Sequence, residues 1–277
     1  MTSVAEQVAK EIVSAIDKDE LVLPTMPEMA LKVREVAEDP DAGIADINAV
    51  ISNDAALTAR IIKVANSPLF RGAREIEDLS MALSRLGMQT TANLATGLAM
   101  EQMFQATSDF IDKRMRDVWA RSSEIAGICH VLCRHYTKLR PDQATLAGLV
   151  SNIGVLPILS YAEDNSQLLG NSMTLDSVID EIHPAIGKKI LTTWEFPTEL
   201  RNVPEDAWNF EREAPKADYA DLVTVATIQS FQGTPKFASI DVNTVKAFER
   251  LGLDPDIESA EAEDLSEEMA AAMAMLQ

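Results

Sequence analysis

The sequence predicts an all-α protein, and three observations support that class. Apolar residues recur at helical spacing along almost the whole chain. A sustained alternation of apolar and polar residues, which would predict half-buried strands, is absent from the sequence. Proline, glycine and N-cap residues fall between the periodic segments, where helices are expected to end. We therefore expect a bundle of helices joined by turns.

Five helices are predicted before residue 90. Their inner faces are Val4/Val8/Ile12/Ile16, Met29/Val33/Val36, Ile44/Ile47/Ile51, Leu57/Ile61/Val64 and Leu79/Leu83/Leu86. Pro40 ends the second helix, and Asp54 is the expected N-cap of the fourth. Asn66 and Ser67 break the chain between two apolar helices, so their side chains are expected to stabilise a corner. Gly87 is expected to end the fifth helix in a left-handed conformation.

The later helices follow from the same spacing. They are predicted over Thr90 to Phe104, Phe110 to about Tyr136, Pro141 to near Gly154 and Pro157, Leu175 to Ile182, Ile186 to Trp194, and around Leu222, Val225 and Ile228. His183 is followed by Pro184, which has no backbone N–H to donate, so we expect a break between two helices there.

The C-terminal stretch differs in composition from the rest. No Lys or Arg follows Arg250, and acidic residues precede a Met/Ala-rich run at 269–276. A solvated acidic extension is the favoured interpretation, with an appended helix as the alternative. We divide the chain into an N-terminal helix (1–20), a domain (21–235) with an N-terminal helical lobe (21–105) and a second lobe (106–235), and an acidic extension (236–277).

Charge and composition exclude several classes of function. The net charge is −20, from 24 basic and 44 acidic side chains, so nucleic acid and anionic membrane surfaces would be repelled. No uninterrupted apolar run approaches the roughly 18 residues of a membrane span, and no signal peptide is evident. We therefore expect a cytoplasmic protein.

The two cysteines lie four residues apart. Cys129 and Cys133 fall in a helical pattern, which favours buried thiols over a disulfide. With His130 beside them a zinc site can be considered, but a structural zinc site needs four ligands and the chain has no further cysteine.

Five motifs together indicate a family. The first is LPTMPEMALKVREVAEDPDAGIADINAVISNDAALTARIIKVANSPLF, and DLSMALSRLGM follows it. The other three are VWARSSEIAGIC, AGLVSNIGVLPIL and HPAIGKKILTTWEFP. From about Leu23 to Gln232 these motifs resemble the HDOD family, the HD-related output domains of bacterial signalling proteins. The third and fourth motifs resemble the two central helices of the HD-like half, and the fifth resembles the family's His-Pro pattern. The resemblance implies that the second lobe is an HD-like helical bundle.

The resemblance also locates the four positions that bind metal in HD-type phosphohydrolases. The first His falls near Arg121, the His-Asp pair falls on Ser151 and Asn152, and the final Asp falls near Thr227. Arginine stays protonated, and neutral hydroxyl and amide groups are poor ligands for a transition metal. The departure implies no metal, no cofactor and no catalytic residue.

By this resemblance the chain is a non-catalytic signalling module that binds another signalling protein. The groove between the lobes is the natural place for a partner helix or a small ligand. No effector domain accompanies the resemblance, so a stand-alone form is expected. The alternative is a residual metal-dependent phosphohydrolase or a nucleotide-binding sensor that uses the altered pocket.

That altered pocket comprises Arg121, Ser151, Asn152, His183 and Thr227. Arg121 could bind an anion through its guanidinium fork. We favour a structural role for all of these residues. Arg121 is expected to pair with an acid such as Glu124 or Asp117, and the two polar residues at 151–152 are expected to satisfy backbone groups at a helix end. His183 is expected to cap a helix or to form a hydrogen bond in the core. No Gly-x-Ser-x-Gly turn or phosphate-binding glycine loop supports another chemistry.

Overall fold

The computed structural model of the protein describes residues 4–70, 72, 74–254 and 261–276, leaving aside the side chains of 166–167 and 261–266. Every regular element within these residues is helical, which confirms the predicted all-α class. The first half contains α1 (Val4–Asp17), α2 (Glu28–Glu38), α3 (Ile44–Ile51), α4 (Ala55–Ala65), α5 (Leu79–Leu86), α6 (Met88–Ala99), a 3-10 turn (Met100–Met103) and α7 (Asp109–Tyr136). The second half contains α8 (Pro141–Val150), α9 (Val155–Glu163), α10 (Ser166–Leu169), α11 (Ser172–Thr193), α12 (Thr198–Arg201), α13 (Val203–Asp206), α14 (Tyr219–Ser230), α15 (Pro235–Ala238), a 3-10 turn (Val242–Thr244), α16 (Lys246–Leu251) and α17 (Glu261–Leu276).

Local capping explains where the first helices begin and end. The Asp54 side chain accepts a hydrogen bond of 2.9 Å from the Leu57 N–H, so the predicted N-cap of α4 is confirmed. The Asn66 amide forms two hydrogen bonds, of 2.7 and 2.8 Å, with the backbone of Ile76 and fixes the predicted corner. Gly87 ends α5, as predicted, but its φ of 80° and extended ψ of 161° are not the left-handed helical conformation that was expected, because the same residue also begins α6.

The HD-like half is built around the long helix α7. Helices α8, α9 and α14 pack against α7, and α6 packs against α8 and so joins the N-terminal helices to this bundle. A Cβ at Gly148 on α8 would lie 2.4 Å from the Cα of Ala126 on α7, so glycine permits this close crossing. Buried residues of both predicted lobes belong to one hydrophobic cluster. The boundaries at residues 20, 105 and 235 remain predictions.

The predicted break at His183-Pro184 is wrong. Helix α11 runs without interruption from Ser172 to Thr193, with Pro184 inside it. A Cβ at Gly154, just before α9, would lie 2.0 Å from the carbonyl oxygen of His183. This part of α11 is therefore packed backbone to backbone against the start of α9, and tertiary packing outweighs the single hydrogen bond that proline cannot donate.

The favoured interpretation of the C-terminus as a solvated extension is also wrong for its last residues. Helix α17 packs against α7 and α4, and Ala272, Met275 and Leu276 are buried. The Met/Ala-rich run therefore completes the core, which agrees with the alternative of an appended helix. A Cβ at Gly127 on α7 would lie 2.7 Å from the Ala272 carbonyl carbon, so α7 and α17 are in backbone contact. The Glu268 carboxylate accepts two hydrogen bonds from α7, one of 2.6 Å from Arg134 and one of 2.8 Å from His135.

Among the residues that the structure describes, one helical segment meets the length and composition of a membrane span. It covers Pro141–Glu163, that is α8 and α9, although its sequence is not an uninterrupted apolar run. Of its most apolar window, 89% is buried inside the fold. The segment therefore lies in the core of the fold.

Candidate functional site

A cleft of about 460 Å³ opens between α7 and α11, at the position where the resemblance places the altered pocket. We call it the α7–α11 cleft. Its lining comprises Arg114, Asp117, Val118, Arg121, Asn152, Val155, Leu159, Asp176, Ile179, Asp180, His183, Trp208, Phe231 and Lys236. Three of the five predicted pocket residues therefore line one cleft, and two do not.

Arg121 projects from α7 toward the end of α14. One guanidinium nitrogen donates to the backbone oxygen of Ser230 at 3.2 Å and to its Oγ at 3.3 Å. The guanidinium carbon lies 5.0 Å from the ring centre of Phe231. The expected ion pair with Glu124 or Asp117 is wrong, because Arg121 has no salt bridge to any described carboxylate. Its charge is instead held by a carbonyl, a hydroxyl and an aromatic ring.

Ser151 and Asn152 occupy the turn between α8 and α9. The Ser151 hydroxyl is buried and donates to the Gly148 carbonyl at 2.8 Å, so it satisfies a backbone group at the helix end, as expected. The Asn152 amide nitrogen donates to Ser122 Oγ on α7 at 3.2 Å and ties the turn to that helix. Only the asparagine reaches the cleft.

His183 is a buried residue of α11, and one of its ring nitrogens forms a hydrogen bond within the helix. Its side chain is 2% exposed, and Nδ1 lies 2.6 Å from the Ile179 carbonyl oxygen. Burial lowers the pKa of His183 to about 4, so the ring is neutral at pH 7. Because a carbonyl only accepts, Nδ1 carries the proton and Nε2 presents a lone pair. Trp208 packs edge-on against this ring at 5.1 Å.

Thr227 is buried in α14 and is not part of the cleft lining. Its carbonyl oxygen accepts a 2.8 Å hydrogen bond from the Ser230 hydroxyl, the same hydroxyl that lies beside Arg121. Thr227 therefore supports the arginine indirectly. Among the side chains that the structure describes, no group of three His, Cys, Asp or Glu residues is arranged to hold a metal ion.

An aromatic and basic wall completes the cleft, and the sequence reasoning missed it. The Lys236 ammonium lies 4.9 Å from the ring centre of Trp208 and 5.0 Å from that of Phe231, and it donates to Asp180 at 2.5 Å. These residues come from three separate segments of the chain. No local spacing connects them, so only the tertiary fold reveals the wall.

Charges in the cleft are mostly paired. Arg114 forms a salt bridge with Asp176, and Lys236 forms one with Asp180. Arg121 is the cationic lining residue without a carboxylate partner among the described residues. Asp117 has no such partner either, but it is solvent-exposed, where water screens its charge.

The cysteine region is a structural part of the core. Cys129 and Cys133 are buried free thiols, as predicted, and burial raises the pKa of both. His130 Nδ1 lies 3.0 Å from the Thr145 hydroxyl oxygen, and burial lowers the pKa of this histidine to about 4. The ring is thus a hydrogen-bonded core residue.

The chain is similar to several known proteins. The HDOD domain family model matches residues 23–210. A protein of Shewanella amazonensis SB2B, provisionally named a metal-dependent phosphohydrolase, is 28% identical, and the superposition covers 99% of both chains with a TM-score of 0.88. An HDOD domain protein from Geobacter sulfurreducens shares the fold at 19% identity, over 98% of this chain and 96% of that one, with a TM-score of 0.68.

A curated relative is longer than this chain. An uncharacterized protein from Treponema pallidum (strain Nichols) is 25% identical over 247 residues, which are 82% of this chain and 46% of the relative. The chain therefore spans about half the length of the curated relative that it matches.

Proposed function

Because this chain belongs to the HDOD domain family, we propose that it is a non-catalytic signalling module of the cytoplasm that acts by binding another protein. The observation that carries the proposal is the content of the four positions aligned with the HD-type ligand set. Arg121 holds the first, Ser151 and Asn152 the pair, and Thr227 the last. None supplies an imidazole or a carboxylate to a metal ion.

The contacts of these residues support the same interpretation. Arg121 and Asn152 are each tied by hydrogen bonds to a neighbouring element, and the Ser151 hydroxyl is used by its own helix end. These bonds hold each side chain against the bundle. Turning Asn152 or Ser151 toward a metal ion would break a bond that stabilises the fold.

The surface that we propose for partner binding runs along α1. A cleft of about 990 Å³ lies between α1 and α9, and a second of about 400 Å³ lies between α1 and α11. The lining of the second cleft includes Val13, which is 39% exposed, and the buried Ile182. Apolar side chains that border a long open groove are the usual anchors for a partner helix.

Two matched variants test the contact. Val13→Glu introduces charge into the groove, and Met81→Glu introduces the same charge on α5, where the methionine is 40% exposed. After cross-linking in the native cell, a partner recovered with the wild type and with Met81→Glu should be lost with Val13→Glu. Equal recovery with both variants, at unchanged melting temperature, would place the contact elsewhere.

The competing function is a residual phosphohydrolase, which the provisional name of the Shewanella protein favours. Elemental analysis together with hydrolysis of bis(p-nitrophenyl) phosphate in Mn²⁺, Fe²⁺ or Mg²⁺ separates the two. We expect no stoichiometric transition metal and no turnover above buffer. One equivalent of metal and metal-dependent turnover, both lost in His183→Asn, would establish the enzyme and overturn the proposal.

A further inference from the structure

The α7–α11 cleft contains a hydrogen-bond acceptor for which the described residues provide no partner. His183 is 2% exposed, its Nδ1–H is used by the Ile179 carbonyl, and no described group bonds to Nε2. The ring nevertheless lines an open cavity. Nε2 is not among the described buried atoms that have no partner, so it is accessible from the cleft. Its lone pair can therefore accept a hydrogen bond from an N–H or O–H group of a molecule bound there.

A cation without a carboxylate partner lines the same cleft. Arg121 uses one guanidinium nitrogen for Ser230, and no other hydrogen bond of this side chain is formed within the described part of the chain. The remaining N–H groups have the fork geometry that binds a carboxylate in two places. The other cations of the cleft, Arg114 and Lys236, are already neutralised by Asp176 and Asp180. Arg121 is therefore the lining cation that is available to bind a carboxylate, while Asp117, the lining aspartate without a salt bridge, is solvent-exposed.

The space between these polar groups is apolar. Trp208 and Phe231 lie between His183 and Arg121, with ring centres 6.2 Å apart, and Val118, Val155, Leu159 and Ile179 complete the walls. A volume of about 460 Å³ suits a small organic molecule and falls within the range of ligand pockets.

From this arrangement we propose that the cleft binds a small organic monocarboxylate whose apolar body carries an N–H or O–H donor. The carboxylate binds Arg121, the body packs on Trp208 and Phe231, and the donor bonds to His183 Nε2. Three aspartates line the cleft, so a doubly charged phosphate is disfavoured relative to a single carboxylate. The inference does not depend on the proposed protein contact, because a binding pocket can exist with or without a partner surface on α1.

Three probes test the proposal, and the distance between their ring and their carboxylate increases in the order 4-hydroxybenzoate, 4-hydroxyphenylacetate and 3-(4-hydroxyphenyl)propionate. Isothermal titration or ligand-observed NMR should give a Kd of about 1 mM for the best-fitting probe. Removing the hydroxyl (3-phenylpropionate) or the carboxylate (4-ethylphenol) should weaken binding about tenfold. Inorganic phosphate and AMP should bind less tightly than the best acid.

Matched variants assign the two polar contacts. Arg121→Gln should weaken the best acid about tenfold, whereas Arg34→Gln should leave its Kd unchanged. Arg34 is a fair control because it also stacks on an aromatic ring, Phe196 at 4.6 Å, and bonds to a backbone carbonyl, but it does not line the cleft. Melting temperatures of both variants verify that the fold is intact.

His183→Asn tests the donor contact. The asparagine amide nitrogen occupies the place of Nδ1 and keeps a donor for the Ile179 carbonyl, while the Nε2 acceptor disappears. In this variant, removal of the hydroxyl from the probe should no longer change affinity. The proposal is overturned if no hydroxy acid saturates the protein, if phosphate or AMP binds more tightly, if the Arg34 variant loses as much affinity as the Arg121 variant, or if the hydroxyl contributes equally in wild type and His183→Asn.

Discussion

The stability of this protein should depend on pH through two of its three histidines. His130 and His183 are buried, 4% and 2% exposed, and burial lowers the pKa of each from 6.5 to about 4. His135 lies on the surface with its side chain 44% exposed. Protonating either buried ring places a charge where it is solvated less well than in the unfolded chain, so the folded state resists protonation that the unfolded chain accepts readily.

The sign and size of the effect follow from linkage. A folded pKa below the unfolded value means that the contribution is fully present above pH 6.5 and is lost as pH falls toward 4. At pH 4 the loss amounts to about 3 kcal/mol for each histidine, or about 6 kcal/mol for the two together. A domain of ordinary stability has roughly 5 to 15 kcal/mol in total, so these two rings alone should bring the protein near unfolding.

Urea unfolding followed by circular dichroism between pH 7 and pH 4 measures the loss. The double variant His130→Asn/His183→Asn keeps a donor at each Nδ1 position but cannot be protonated, so its free energy of unfolding should fall by about 6 kcal/mol less than that of the wild type over this range. His135→Asn is the control and should follow the wild type. Carboxylates contribute equally to all three proteins. The reasoning is refuted if the double variant and the wild type lose the same stability on acidification.

Three further variants test the contacts on which the fold and the site depend. Asp221→Asn should lower the free energy of unfolding by about 3 to 5 kcal/mol, because this 1% exposed carboxylate pairs with two arginines. The control is Asp17→Asn, which removes an exposed ion pair and should lower the free energy of unfolding by less than about 1 kcal/mol. Urea unfolding measures both. Gly127→Leu should release α17, because its side chain would occupy the position of the α17 backbone, and faster proteolytic cleavage within 261–276 would report the release. Ser151→His/Asn152→Asp should bind no stoichiometric metal by elemental analysis, because the other two positions of the set still hold an arginine and a threonine.

Helix positions were readable from the sequence wherever the chain's own pattern determined them. The cap at Asp54, the corner at Asn66 and the buried cysteines depend on neighbours in sequence, and each was predicted. The break at Pro184 was not correct, because the decisive contact is the approach of Gly154 on another segment. The packing of α17 was likewise hidden, since its docking surface on α7 lies more than a hundred residues away.

The candidate site, like the fold, was predictable from the sequence only in part. Arg121, Asn152 and His183 were assigned to one pocket through the resemblance, and the structure brings these three to one cleft. The aromatic and basic wall formed by Trp208, Phe231 and Lys236 could not be predicted, because its members belong to separate short segments with no shared periodicity. Such a wall exists only once α14 and α15 have packed beside α11.

Two of the positions that align with the HD-type metal ligands connect elements of the fold through hydrogen bonds. A structural metal ion links elements that are distant in sequence, and its loss removes those links. Here hydrogen bonds provide the links instead, since Arg121 connects α7 to the end of α14, and Asn152 connects the α8–α9 turn to α7. Both contacts use neutral or singly charged groups and need no ion, whereas the Ser151 hydroxyl bonds within its own helix end. Replacing Arg121 or Asn152 by a metal-binding residue should therefore lower the free energy of unfolding, because it removes a stabilising contact that only a bound ion could replace.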